Sequence, residues 1–291
     1  MSVKSILKRC SHILTDKTYI KLAYFRRFHK FPNLKNPEAF NEKLQWIKLY
    51  DRKPIYTTMV DKYEAKKYVA GIIGEEHIIP TLGVWEKFDD IDFDSLPQQF
   101  VLKCTHDSGG LVICKDKGSL DIAAARKKIE NSLKNNYYLH GREWCYKDVP
   151  PRIIAEQYLE DQNEAEGLTD YKFYCFNGEP KFLYVSQGLQ DHSTASISFL
   201  TTDWQFAPYE RSDFKPLSEL PRKPECLEQM LEISKKLSEN VPFLRVDLYE
   251  INGKIYFSEL TFYPCGGFML FRNPKHDLEI GKMLTLPNKD K

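Results

Sequence analysis

The chain has 291 residues, enough for two or three lobes, and its 42 Lys+Arg against 41 Asp+Glu leave no overall field to attract nucleic acid. Its 7 cysteines, at positions 10, 104, 114, 145, 175, 226 and 265, form neither a CxxC nor a zinc spacing. No apolar run approaches the roughly 18 residues of a membrane span and no signal-peptide pattern is visible, so the expectation is a cytoplasmic protein with reduced thiols.

Residues 1–30 carry Lys4, Lys8, Arg9, Lys17, Lys21, Arg26, Arg27 and Lys30 against one acid, Asp16, with Ile6, Leu7, Ile13, Leu14, Leu22, Tyr24, Phe25 and Phe28 interleaved. Two readings stay open. Either a pair of helices packs on the body with a solvated basic face, or the segment makes weak contact with an anionic surface at the inner face of a membrane. Pro37-Glu38 opens a helix carrying Phe40, Leu44 and Ile47; Pro54 breaks the pattern, and a second helix is expected over 57–69. Residues 80–96 read as an acidic loop. Strands are expected at 100–105, 111–115, 152–159, 170–176, 180–187, 243–251 and 254–262, with helices at 121–135 and 224–240. Turns such as Asn177-Gly178 link strands into hairpins, which indicates an antiparallel α+β fold and not a doubly wound sheet. Neither GxxxxGK[ST] nor GxGxxG occurs, so a P-loop and a dinucleotide fold lack support.

Two distant segments carry the chemistry. In Phe100–Gly110 (FVLKCTHDSGG), a lysine in an apolar strand runs into a glycine-ended loop, which suits a phosphate chain. In Phe243–Gly267, Arg245, Asp247 and Glu259 lie on a strand–turn–strand unit, and paired carboxylates suit Mg²⁺. The hairpin register decides whether those carboxylates can share an ion. A two-residue Asn252-Gly253 turn pairs Asp247 with Ser258 and sends Glu259 to the opposite face. A three-residue loop, Ile251-Asn252-Gly253 with Gly253 left-handed, moves the register by one. Arg245, Asp247, Glu259 and Thr261 then share one face, and Val246, Leu248 and Leu260 the other. That separation of polar from apolar residues makes the three-residue loop the expectation.

The ordered set of motifs resembles the ATP-grasp superfamily, in its TupA-like branch of bacterial surface-polysaccharide proteins. The motifs are FNEKLQW (Phe40–Trp46), Asp61-Lys62, FVLK with its Gly loop, IIAEQYL (Ile153–Leu159), DYKFYCFNGEP (Asp170–Pro180) and RVDLY…ELTFYP (Arg245–Pro264). The resemblance implies two α+β lobes clamping ATP behind an N-terminal helical extension: a helical region over 1–98, a lid lobe over 99–162 and a catalytic lobe over 163–291. It implies that Lys62 and Lys103 reach the phosphates, with His106, Ser108, Gly109 and Gly110 in the loop closing over them. Glu156, Gln157, Tyr158 and Leu159 match the hinge at the adenine edge, and Asp170 the ribose carboxylate. Lys172 and Arg245 are expected beside the reacting groups, and Asp247, Glu259 and Thr261 as Mg²⁺ ligands. Thr261 departs from the asparagine that many of these enzymes carry there.

The implied chemistry is ADP-forming carboxylate–amine ligation through an acyl phosphate, with ATP and Mg²⁺ as cofactors. For this branch the substrates would be a uronic acid, on a sugar nucleotide or a capsule-type glycan, and an amino acid or small amine; the reverse assignment of carboxylate and amine also stands. Two alternatives remain at this point. The DDIDFD run offers Asp90, Asp92 and Asp94 as the DxD of a metal-dependent glycosyltransferase, and the chain could be a non-catalytic ATP-binding module.

Overall fold

The computed structural model describes residues 12–161, 168–187 and 196–288. The helices are α1 (Asp16–Phe28), α2 (Phe40–Tyr50), α3 (Ile55–Val60), α4 (Glu64–Ile73), α5 (Ile122–Leu133), α6 (Tyr138–Gly141), α7 (Leu227–Leu237) and α8 (Lys275–Met283). The strands are β1 (Thr81–Trp85), β2 (Phe100–Cys104), β3 (Leu111–Cys114), β4 (Ile153–Gln157), β5 (Asp170–Phe176), β6 (Glu179–Gln187), β7 (Ser196–Thr201), β8 (Phe243–Ile251) and β9 (Lys254–Thr261). They build two sheets, β1-β4-β2-β3 and β7-β6-β5-β8-β9, with antiparallel pairing throughout. The class is α+β.

Each sheet has its own core. In the smaller one, Phe100, Leu102 and Ala155 pack against Ala125 and Ile129 of α5 and against Phe88 and Leu96. In the larger one, Phe173, Leu183, Val246 and Leu260 pack with α7, while Phe40, Leu44, Tyr56 and Val69 bring α2, α3 and α4 into the same cluster. The first described helix behaves as a packed element. Tyr19, Ile20 and Tyr24 are buried, and Lys17, Lys21, Arg26 and Lys30 face solvent. Residues 1–11, which carry the rest of the basic segment, lie outside the described residues.

The fold departs from the sequence reading in four places. Thr81–Trp85 is a strand paired to β4, not loop, so the smaller sheet reaches back across the boundary expected at residue 98. Its partner lies some seventy positions away, which local patterning cannot see. The helix expected over 57–69 is two helices. Asp61 Oδ1 accepts from Tyr63 N at 2.9 Å and Glu64 N at 3.4 Å, starting α4 afresh, while Lys62 N donates to Thr105 O at 3.1 Å. Strand β7 and helix α8 are further elements.

The fourth departure is the turn of the metal-type hairpin. Ile251 pairs with Lys254, so the loop is the two-residue Asn252-Gly253, with φ of 52° and 74° as a type I′ turn requires. The expected three-residue loop is therefore incorrect. Leu248 pairs with Phe257 but Asp247 pairs with Glu259, which leaves Ser258 as an extra residue in a β-bulge. The bulge moves the register by the one position that a longer loop would have supplied. Arg245 lies opposite Thr261, and Asp247 opposite Glu259, on one face.

Candidate nucleotide and metal site

Four strands place a polar row across the larger sheet: Tyr184 on β6 is opposite Lys172 on β5, Lys172 opposite Asp247 on β8, and Asp247 opposite Glu259 on β9. Asp247 is fully buried. Arg245 forks onto it, with Nε and Nη2 each 2.7 Å from one carboxylate oxygen, and Lys172 Nζ adds a third contact at 2.7 Å. Burial alone would raise the Asp247 carboxyl, but Arg245 and Lys172 hold it below its ordinary value. Lys172 also donates to Asp170, whose second oxygen is buried and has no partner among the described residues. Burial opposes the charge on Lys172, yet Asp170 and Asp247 raise its pKa overall.

Glu259 is the open member of the row. Its side chain is 30 % exposed, and the Arg245 guanidinium stands 4.0 Å away. Thr261 Oγ1 accepts from Arg245 Nη2 at 3.0 Å. Among the described residues no cage of three or more His, Cys, Asp or Glu forms. Mg²⁺ rarely needs one: it keeps several waters and is held by one or two carboxylates with substrate phosphates. Asp247 and Glu259, facing one another as hard oxygen donors, fit that role: Glu259 is open, whereas Asp247 is held by Arg245 and Lys172.

Across from this row stands a second group of charges on the smaller sheet. Lys103 of β2 and Lys66 of α4 each approach Glu156 of β4 to 2.5 Å, one on each carboxylate oxygen. Burial would raise Glu156, but Lys103 and Lys66 pull it below its ordinary value. Two lysines on one carboxylate leave a net positive site, and Glu259 on the larger sheet further favours the charged form of Lys103. The Glu156 side chain is thus a lysine holder, not a group free to read a base edge. Gln157 is exposed and its N–H donates to Pro80 O at 3.0 Å, while Tyr158 and Leu159 are half-buried beyond it.

The Gly loop is held from below. Asp107 is 3 % exposed; its Oδ1 accepts from Gly109 N at 3.2 Å and Gly110 N at 3.1 Å, and its Oδ2 from the Ser132 hydroxyl of α5. A Cβ on Gly110 would sit 2.4 Å from Ser132 Oγ, so glycine is required there by close packing. These two amides donate to Asp107, which shapes the loop from within. His106 Nε2 donates towards Ser132 O and Asn135 O at 3.1 and 3.2 Å, so its ring also anchors the loop. Lys62 Nζ donates to Asp107 O, and Ser108 is exposed with its hydroxyl 3.5 Å from Tyr137 Oη.

Beneath the hairpin, helix α2 grips the backbone that follows β9. Gln45 Nε2 donates to Gly267 O at 2.7 Å, and buried Lys48 Nζ to Gly266 O at 2.6 Å and Gly141 O at 2.8 Å. Asn41 exchanges hydrogen bonds with Met269. Gln45 of FNEKLQW, with Lys48 just beyond it, therefore serves a turn in which Cys265, Gly266 and Gly267 all have positive φ. Glu143 is buried beside that turn; burial pushes its carboxyl up to about 7, with Lys48 opposing and Glu259 adding to the shift.

Lys66, Asp107, Lys48 and Glu143 were not legible as site residues. Lys66 follows Lys62 by one helical turn and Asp107 precedes two glycines as an Asx-turn residue does, so both had a local signal. The run Asp89–Asp94 joins neither group. Asp89 pairs with Arg126 of α5 at 2.6 Å, and Asp92 Oδ1 accepts from Asp94 N.

Comparison with known proteins gives distant structural likenesses and one family. Solved structures that resemble the chain include the Bacillus anthracis D-alanine–D-alanine ligase complexed with ATP (17 % identity, TM-score 0.41, covering 70 % of this chain and 54 % of that one). The Helicobacter pylori D-alanine–D-alanine ligase is similar at 15 % identity and TM-score 0.43, covering 85 % and 70 %. The ATP-grasp ligase PsnB with minimal precursor, Mg and ADP is similar at 10 % identity and TM-score 0.41, covering 90 % and 66 %. All three likenesses are distant, and the chain spans about half the length of the first structures it matches. A search of curated proteins finds no match. The model of the TupA-like ATP-grasp family matches residues 42–285, most of the chain, and the protein therefore belongs to that family.

Proposed function

We propose that the protein is an ATP- and Mg²⁺-dependent carboxylate–amine ligase that releases ADP and works through an acyl phosphate. The observation that carries this reading is the charge layout: Lys103 of the smaller sheet and Lys66 of α4 meet on Glu156, while Asp247, Glu259, Arg245 and Lys172 gather on the larger sheet, with Glu259 acting on Lys103. Lys62, Lys66 and Lys103 bind the triphosphate, and the exposed Ser108 sits where the loop meets it. Tyr158 and Leu159 border the adenine, and Asp170 is the acid for the ribose hydroxyls. Asp247 and Glu259, with Thr261, would hold Mg²⁺, which when bound neutralises phosphate charge.

An acceptor carboxylate oxygen attacks the γ-phosphorus, forming an O–P bond as the bond to ADP breaks. Arg245 offsets the charge that develops on the transferred group, and Lys172 keeps Asp247 and Asp170 in place beneath it. An amine nitrogen then attacks the acyl carbon, loses a proton to solvent, and phosphate departs with the former carboxylate oxygen. We assign a uronic acid as carboxylate and an amino acid or small amine as nucleophile, in surface-polysaccharide synthesis. Family membership and the partly exposed Glu259 beside Arg245 support this choice.

The test is calorimetry with MgATP and with UDP-glucose, followed by ADP release with glucuronate and hydroxylamine. MgATP binding and glucuronate-dependent ADP are expected. UDP-sugar binding without ATP binding would favour glycosyl transfer, and ATP binding without turnover a non-catalytic module.

A further inference from the structure

Near Arg245 the chain carries a further buried guanidinium, Arg211, that the proposed nucleotide site does not use. Tyr174 of β5 lies opposite Arg245 and is 1 % exposed, and its hydroxyl has no partner among the described residues. A buried hydroxyl left unpaired loses its hydration without compensation, so such a group normally has a partner. Above it, residues 210–212 run against 270–272: Ser212 N donates to Leu270 O at 3.0 Å and Arg272 N to Glu210 O at 2.8 Å. This pairing fixes Arg211 between them. Its guanidinium is largely buried, stacked 4.7 Å over Phe214 and forked onto Asp213 at 2.9 and 2.7 Å. Asp213 is more exposed than Arg211, so the counter-ion lies on the solvent side.

The charges of Arg245 and Arg211 both bear on the Tyr174 hydroxyl. Arg27 joins them from α1, where its Nε donates to Phe268 O at 3.2 Å. Packing raises the pKa of the Cys265 thiol, while Arg211, Arg245 and Arg27 pull it down. Three guanidinium groups from separate parts of the chain thus act on the Cys265 thiol, and two of them, Arg245 and Arg211, on the orphan hydroxyl. Fixed guanidinium forks and a hydroxyl donor are the groups that bind a planar carboxylate.

We propose that Arg211 and the Tyr174 hydroxyl, with Arg245 behind them, form a subsite beside Cys265 that binds a carboxylate of the acceptor. Naming the ligand as acceptor rests on the ligase reading; the oxyanion subsite itself does not.

Cys265 is exposed and reports on the site directly. In alkylation its thiolate sulfur displaces iodide, forming C–S as C–I breaks, with the thiol proton passing to water. The full chain is treated with anionic iodoacetate and with neutral iodoacetamide, and each cysteine peptide is read by mass spectrometry. The iodoacetate-to-iodoacetamide rate ratio at Cys265 is expected to exceed that at the half-exposed Cys226 by about tenfold. Arg211→Gln should abolish the excess. Glucuronate should protect Cys265 saturably, and Tyr174→Phe, a mild change, should weaken protection several-fold while the MgATP thermal shift stays. Equal ratios at the two cysteines, or equal protection of wild type and Arg211→Gln, would overturn the subsite. Stronger protection by inorganic phosphate than by glucuronate would overturn its assignment to a carboxylate. Loss of MgATP binding in the wild type would instead count against the ligase reading, with the alkylation pattern unaffected.

Discussion

Glu259 and Glu143 are both carboxylates near the hairpin, and their surroundings give them different tasks. Glu259 is open and weakly paired, so Glu259→Gln should leave the fold intact. Loss of one group that neutralises a transferring phosphate typically costs on the order of 10²-fold or more. Measured ADP release within a few-fold of wild type would remove Glu259 from the metal set. Glu143 has its carboxyl raised from 4.5 to about 7 by burial, so the folded state holds a proton that the unfolded chain has released. Its contribution to stability is present below the unfolded value and is lost as pH rises through about 7. Glu143→Gln cannot titrate, and it should gain stability relative to wild type between pH 5 and pH 8. Urea unfolding at the two pH values checks the sign; a difference that does not change with pH would contradict the placement.

At the scale of elements, the lid loop and the helix α2 depend on side chains acting on backbone. Asp107→Ala removes the acceptor for Gly109 N, Gly110 N and the Ser132 hydroxyl, so the loop loses its shape over the phosphates. KM for ATP should rise about tenfold with a smaller change in kcat, as expected for a few lost hydrogen bonds. Asp107→Asn, which can still accept from both amides, should recover most of it. Equal KM for wild type and Asp107→Ala would show that the loop is held otherwise. Where α8 crosses α2, a Cβ on Gly281 would stand 2.0 Å from Glu38 O, and Lys43 Nζ already bonds the Gly281 carbonyl at 2.7 Å. Gly281→Ala should lower stability by about 1–3 kcal/mol, read as a shifted urea midpoint, despite alanine's better helix propensity. Strands such as β5 and β8 were legible because alternation and Asn-Gly turns are local signals. Strand β1 and the Ser258 bulge were not: the first depends on a partner far along the chain, and the second on which register buries Val246, Leu248 and Leu260 together. The common face of Asp247 and Glu259 was read correctly, through an incorrect turn.

For the whole molecule, the charged residues divide between the smaller sheet, with Lys103 and Glu156, and the larger, with Lys172, Asp247 and Glu259. Order of motifs along the chain made the family legible, whereas the pairings that tune each site residue depend on contacts between strands far apart in the sequence. Lys103 with Glu156, and Lys172 between Asp170 and Asp247, are of that kind. The central claim is that a carboxylate is activated by phosphorylation. Incubation with ATP, Mg²⁺, hydroxylamine and glucuronate labelled with ¹⁸O in its carboxylate tests it directly. The account predicts ADP, hydroxamate and inorganic phosphate carrying one ¹⁸O per turnover, because the attacking carboxylate oxygen stays on phosphorus when the amine displaces it. Label appearing in AMP, or hydroxamate forming with unlabelled phosphate, would contradict the acyl-phosphate mechanism.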